Sequence, residues 1–88
     1  MTYRIELTPA ARRDLHRLPT RVAFAVVEYI EGPLAENPHR VGKMLRDDPA
    51  KRYTARVGVY RIIYKIDDAM LVISVVRIGH RADIYRPS

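Results

Sequence analysis

The 88-residue sequence predicts an α+β domain, two N-terminal helices packed on a small, mainly antiparallel sheet of four to five strands. Three observations predict it. Residues 53–78 hold runs that alternate or stay apolar over strand-like lengths, with turn signals between them. Residues 9–30 instead repeat apolar side chains at helical spacing and are divided by a proline stop. A short alternating run, Tyr3-Arg4-Ile5-Glu6-Leu7, precedes both. A chain of this length, read as one domain over residues 1–88, builds a single modest core.

In that first run Tyr3, Ile5 and Leu7 oppose Arg4 and Glu6, a strand half facing the core. Thr8-Pro9 then opens a helix: the threonine can cap the free amides of the first turn, and proline loses nothing at the first helical position. Ala11, Leu15 and Leu18 recur on one face, Arg12, Arg13, Asp14 and Arg17 point elsewhere, and Pro19 stops the helix. Thr20 is placed to cap a second helix with the stripe Val22, Val26, Tyr29 and Ile30. Gly32-Pro33 breaks or ends it, with room for one irregular turn to Glu36. Asn37 to Arg40 reads as a loop, Lys43 to Arg46 as a brief edge strand, and Asp47-Asp48-Pro49-Ala50 as a turn.

The next strand groups Tyr53, Ala55 and Val57 against Thr54 and Arg56, and Gly58-Val59 makes a tight connection out of it. Tyr60, Ile62, Tyr64 and Ile66 then oppose Arg61, Ile63 and Lys65, so that Tyr53, Tyr60 and Tyr64 fall on the core face. Asp67-Asp68 is a turn. Met70 to Ile78 is apolar on both faces apart from Ser74 and Arg77, as expected of a central strand covered on both sides.

Charge is unevenly placed. The formal net charge is +6, residues 1–36 balance at five basic and five acidic, and residues 37–88 carry the whole surplus, eleven against five. Thirteen of the sixteen basic residues are arginine, whose planar fork matches phosphate oxygens. A polyanionic partner follows, either nucleic acid or an acidic protein segment, against the plainer reading of a solvated basic face. There is no cysteine, hence no disulfide framework. The N-terminus does not resemble a signal peptide, and no run approaches the roughly 20 apolar residues that cross a bilayer. A soluble, cytoplasmic protein without membrane association is expected.

The sequence lacks a Gly-rich phosphate loop, a dinucleotide fingerprint and an H-E-x-x-H helix. His16, His39 and His80 lie far apart without metal-ligand spacing. What remains is a basic, aromatic-decorated sheet, which suits RNA. Cleavage without metal requires a base for the ribose 2′-hydroxyl, cations around the phosphorane and an acid for the departing 5′-oxygen. Arg56, Arg61 and Arg81 lie at or near strand positions from which they can converge on one anion. Tyr85 can stack on a base or orient the phosphate. Further candidate RNA contacts are Lys43, Arg46, Lys51, Arg52, Arg77, His80 and Arg86. His80 suits proton transfer but has opposite strand parity to Arg81.

The pattern R-x-G-x-Y-R-x-x-Y-x-I-D-D from Arg56 to Asp68, followed by V-x-R-I-G-H-R-x-D-x-Y-R from Val75 to Arg86, resembles the RelE branch of the RelE/ParE toxin superfamily. The resemblance extends to Leu15-His16-Arg17-Leu18-Pro19, Asn37-Pro38 and Gly42-Lys43-Met44-Leu45-Arg46. It implies a toxin of a type II toxin–antitoxin pair, a ribosome-dependent mRNA endoribonuclease whose cleavage site is Arg56, Arg61, Arg81 and Tyr85, with no cofactor. Thr54 departs from the pattern, since some members carry there a basic residue that serves or stabilises the base. Arginine is a poor proton acceptor, so the base is left unassigned.

Two other functions stay open. One is a binder without nuclease activity, as in the ParE branch with its DNA gyrase target; the other is a degenerate toxin that acts only as co-repressor. All three imply a cognate RelB-like antitoxin, acidic and partly disordered, through which alone operator DNA is reached. The first adds ribosome and mRNA as partners.

Overall fold

The computed structural model describes residues 2–80. The alternating N-terminal run forms strand β1 (Arg4–Leu7), and Thr8 turns it into helix α1 (Pro9–Arg17). The Thr8 hydroxyl accepts from the Ala11 amide at 3.1 Å and donates to the Val76 carbonyl at 2.8 Å, so one side chain caps the helix and ties it to the sheet. In helix α2 (Thr20–Tyr29) the N-cap is Pro19, not Thr20. The Pro19 carbonyl accepts from Ala23, which places Thr20 inside the first turn.

Gly32-Pro33 breaks the α-helix, as expected, and one irregular turn follows. The chain widens into a π-helical turn (Ile30–Leu34), and the Ala35 amide reaches back to Ile30. Pro33 lacks the N–H that an α-turn would use, and the wider turn keeps Leu34 and Ala35 buried. The expected loop at 37–40 is also helical, as α3 (Pro38–Val41). Proline sits at its first position, and the Asn37 carbonyl accepts from Arg40 and Val41.

Strands β2 (Lys43–Met44), β3 (Tyr53–Val57), β4 (Tyr60–Asp67) and β5 (Val72–His80) complete one sheet in the order β1-β5-β4-β3-β2. Only the β1–β5 pair is parallel, so the α+β fold with a mainly antiparallel sheet holds. Gly58 turns β3 into β4 at φ 60°, a left-handed conformation that glycine adopts without strain. The turn after β4 takes residues 68–71, so β5 starts two residues later than the sequence suggests, with Asp67 accepting from the Met70 amide.

Ala11, Val26, Ile30 and Leu34 from the helical layer pack on Ala55, Ile62, Tyr64, Ile73, Val75 and Ile78. All of these strand residues share one face. β5 is central, as expected, but the helices cover only that face of it. On the other, Val72 is buried and Ser74 half-buried. The parity of β5 also changes along its length. Ile63 pairs with Arg77 and Tyr64 with Val75, which leaves Val76 as an extra bulged residue. Past the bulge, Ile78 faces the core, and Gly79 moves to the open face.

At the opposite end of the sheet a polar clasp joins four segments of the chain. Asp68 accepts from the Tyr3 hydroxyl at 2.6 Å and meets His39 Nε2 at 2.9 Å, while the Tyr53 hydroxyl lies 3.3 Å from His39 Nδ1. These contacts, Tyr3 first and His39 second, hold the Asp68 carboxyl below its ordinary range.

Candidate nucleic-acid interface

The two-residue Gly58-Val59 connection sets Val57 opposite Tyr60 and therefore Arg56 opposite Arg61. Both project from the open face, since Ala55 and Ile62 beside them are core residues. Gly79 is the partner of Arg61 on the other side. It has no side chain to fill the space. Like charges directly opposite one another destabilise a sheet, so folding alone does not favour this pair.

Arg56 and Arg61 line a cleft of ≈ 360 Å³ together with Lys43 and Thr54, and Val41, Gly42 and Ala55 complete its wall. Gly42 is required there: a methyl group would overlap the Tyr64 hydroxyl and sit 2.8 Å from the Thr54 carbonyl. That hydroxyl is buried and donates to the Pro38 carbonyl at 2.7 Å, which fixes the wall of the cleft. Burial raises its pKa, so it stays a donor. Arg61 Nε is buried and has no hydrogen-bond partner among the described residues. Leaving such a donor unsatisfied costs about 1–3 kcal/mol. An anion entering the cleft would satisfy it and relieve the arginine repulsion together.

The other sequence-predicted contacts divide. Arg52 is held by Asp48, Nε to Oδ2 at 2.8 Å and Nη2 to Oδ1 at 3.3 Å, and Arg77 is held by Asp14 at 2.7 and 3.3 Å. Both guanidiniums are therefore engaged within the fold, with 38% and 44% of their side chains still exposed. Arg46 and Lys51 are exposed beyond β2 and are not among the residues that line the cleft. His80 pairs with Tyr60 and stands edge-on to its ring, with centroids 5.9 Å apart. That is the helix-facing parity, opposite to Arg61 and Gly79. Arg81, Tyr85 and Arg86 lie outside the described residues.

Two features escape sequence reading. Asp14 is not solvent-facing: it is 8% exposed, and Oδ2 also accepts from the Ile78 amide at 2.9 Å. β1 ends at Leu7 opposite Val75, and Asp14 takes over the pairing of β5 where that neighbour stops. The second is a basic helical face. Arg12, Arg13, His16, Arg17 and Arg21 are all exposed, and none makes an ion pair among the described residues. A balanced charge count over residues 1–36 hides it, because Glu28, Glu31 and Glu36 lie at the far end of α2 and beyond. No described helix is long and apolar enough to cross a membrane.

A sequence model of the family described as the ParE toxin of the type II toxin–antitoxin system parDE matches residues 5–85. The chain is 50% identical over 86 residues to Toxin RelG of Mycobacterium tuberculosis, covering 98% of this chain and 99% of that one. It is 45% identical over 84 residues to Toxin RelE of the same organism, covering 96% and 87%. Among solved structures, a chain of the M. tuberculosis toxin–antitoxin complex RelBE2 superposes with a TM-score of 0.87 at 46% identity, covering 92% of this chain and all of that one.

Proposed function

The chain belongs to the RelE/ParE family of type II toxin–antitoxin toxins, and on that premise we propose that it is an mRNA interferase, an endoribonuclease that cleaves messenger RNA on the ribosome. The observation that carries this reading is the cross-strand pair Arg56–Arg61, set beside Gly79 in a cleft where one guanidinium nitrogen lacks a partner among the described residues. In the reaction the ribose 2′-oxygen attacks the adjacent phosphorus, the phosphorane gathers negative charge, and the 5′-oxygen leaves. Arg56 and Arg61 bind and neutralise the phosphorane oxygens. By the family resemblance Arg81 adds a third cation, and Tyr85 stacks on a base or orients the phosphate. Preorganised donors of this kind contribute about 10²- to 10³-fold each to rate.

Relatives named RelE have been solved in complex with RelB antitoxins. We infer a corresponding partner for this chain, acidic and partly disordered, that folds over the basic cleft and silences it. The experiment is induction of the wild type and of Arg61→Ala and Arg81→Ala, with transcript ends mapped. Cleavage and growth arrest in the wild type and neither in the variants supports the reading; unchanged cleavage in both variants ends it. The matched family model is that of ParE toxins, and this favours a second reading, a gyrase-directed binder. Its mark is DNA damage with filamentous cells in place of rapid loss of protein synthesis.

A further inference from the structure

We propose that Lys43 is the proton acceptor for the ribose 2′-hydroxyl, standing across the sheet from the position where Thr54 offers no base. The inference rests on the RNA-cleavage reading above. Lys43 and Thr54 are Cα partners on antiparallel strands, so their side chains leave the same face of the sheet. Arg56 is the diagonal neighbour of Lys43 on that face, at the roughly 7–8 Å separation that long side chains span, and Arg61 is the direct partner of Arg56. All four residues line one cleft, and among the described residues they supply every polar side chain in its wall.

The chemistry then selects among them. Arginine does not give up its proton in proteins, and a threonine hydroxyl is no base near neutral pH. Lysine, by contrast, is among the side chains that act as general bases. Lys43 is therefore the one described group in the cleft able to act. In its unprotonated form the Lys43 side chain takes the 2′-hydroxyl proton as the 2′-oxygen bonds to phosphorus. The bond from phosphorus to the 5′-oxygen breaks, and that oxygen takes a proton from water. The products are a 2′,3′-cyclic phosphate and a 5′-hydroxyl. The ammonium returns its proton to solvent.

The test is single-turnover cleavage of a defined messenger RNA programmed on ribosomes. Lys43→Ala and Lys43→Arg are both expected to slow cleavage by about 10²- to 10⁴-fold, the usual contribution of general acid–base catalysis. Lys43 is exposed, so neither variant disturbs the core. Because the chain has no cysteine, Lys43→Cys can be aminoethylated at that one position, which restores an amine and is expected to restore the rate. If Lys43→Arg cleaves near the wild-type rate, charge alone suffices and the proposal is overturned. A wild-type rate in Lys43→Ala overturns it as well. Should the wild type itself leave the programmed messenger RNA intact, the cleavage reading falls instead.

Discussion

Two pairs of arginines from the same sheet region behave in opposite ways. Arg52 and Arg77 each meet a sheltered carboxylate, Asp48 and Asp14, whose side chains are both 8% exposed. Arg56 and Arg61 meet each other. The first pair is tied into the fold, and the second meets no carboxylate among the described residues. A charge count cannot separate them, because what decides is whether a carboxylate from another element arrives at the guanidinium.

The largest effects should test the unpaired arginines. Arg61→Ala is expected to lower cleavage by about 10²- to 10³-fold while leaving the melting temperature equal to or slightly above that of the wild type, since it removes a like-charge contact. A rate assay beside a thermal melt reads both. A large loss of stability with the rate intact would reverse the assignment and make Arg61 a structural residue. Arg56→Ala should show the same pattern, with less gained in stability because Arg56 is exposed and Arg61 Nε would still lack a partner.

The paired arginines should show the reverse. Asp14→Ala removes the acceptor of both Arg77 and the Ile78 amide. An unsatisfied backbone donor and a stranded cation together cost about 2 kcal/mol, discounted for the part of Arg77 that faces water. For a domain of this size that lowers the melting temperature by roughly 8–16 °C. Asp14→Asn keeps an acceptor for Ile78 and should fall between. A melt unchanged by Asp14→Ala would show that β1 and Thr8 alone hold this end of β5.

The comparison also marks what is legible in a sequence. Alternation assigned the faces of β3 and β4 correctly, and a two-residue turn at Gly58-Val59 is enough to place Arg56 opposite Arg61. Thr8-Pro9 read as a helix start for the same reason, because both cap and helix are local. The bulge at Val76 is not local. Without it Arg77 and Gly79 would share the parity of Val75, and only pairing with β4 reveals that Gly79 lies beside Arg61. Asp14 looked like a solvent residue because its partners are 63 and 64 positions away. Lys43 was legible as a basic residue but not as the partner of Thr54, since the turn at 45–52 leaves the register of β2 open. Pro33 was legible as a break in the α-helix, but not the π-turn that keeps Leu34 and Ala35 buried, which depends on the core they enter.

The smallest effect concerns Asp48. Its carboxyl is lowered from the ordinary 3.8 to about 2 by hydrogen bonds from the Arg52 side chain and amide, with the Ala50 amide adding to them. A depressed carboxyl binds its proton less readily folded than unfolded. It therefore contributes stability that is fully present above pH 3.8 and is lost as the pH falls towards 2. Asp48→Asn removes that titration. The variant should be less stable than the wild type at neutral pH, and its stability should change less between pH 4 and pH 2. Denaturant melts across that window measure the two slopes. Equal slopes would mean that the Asp48–Arg52 contact contributes nothing measurable, as many exposed ion pairs do. Arg52 would then join Arg56 and Arg61 as a guanidinium free to meet RNA.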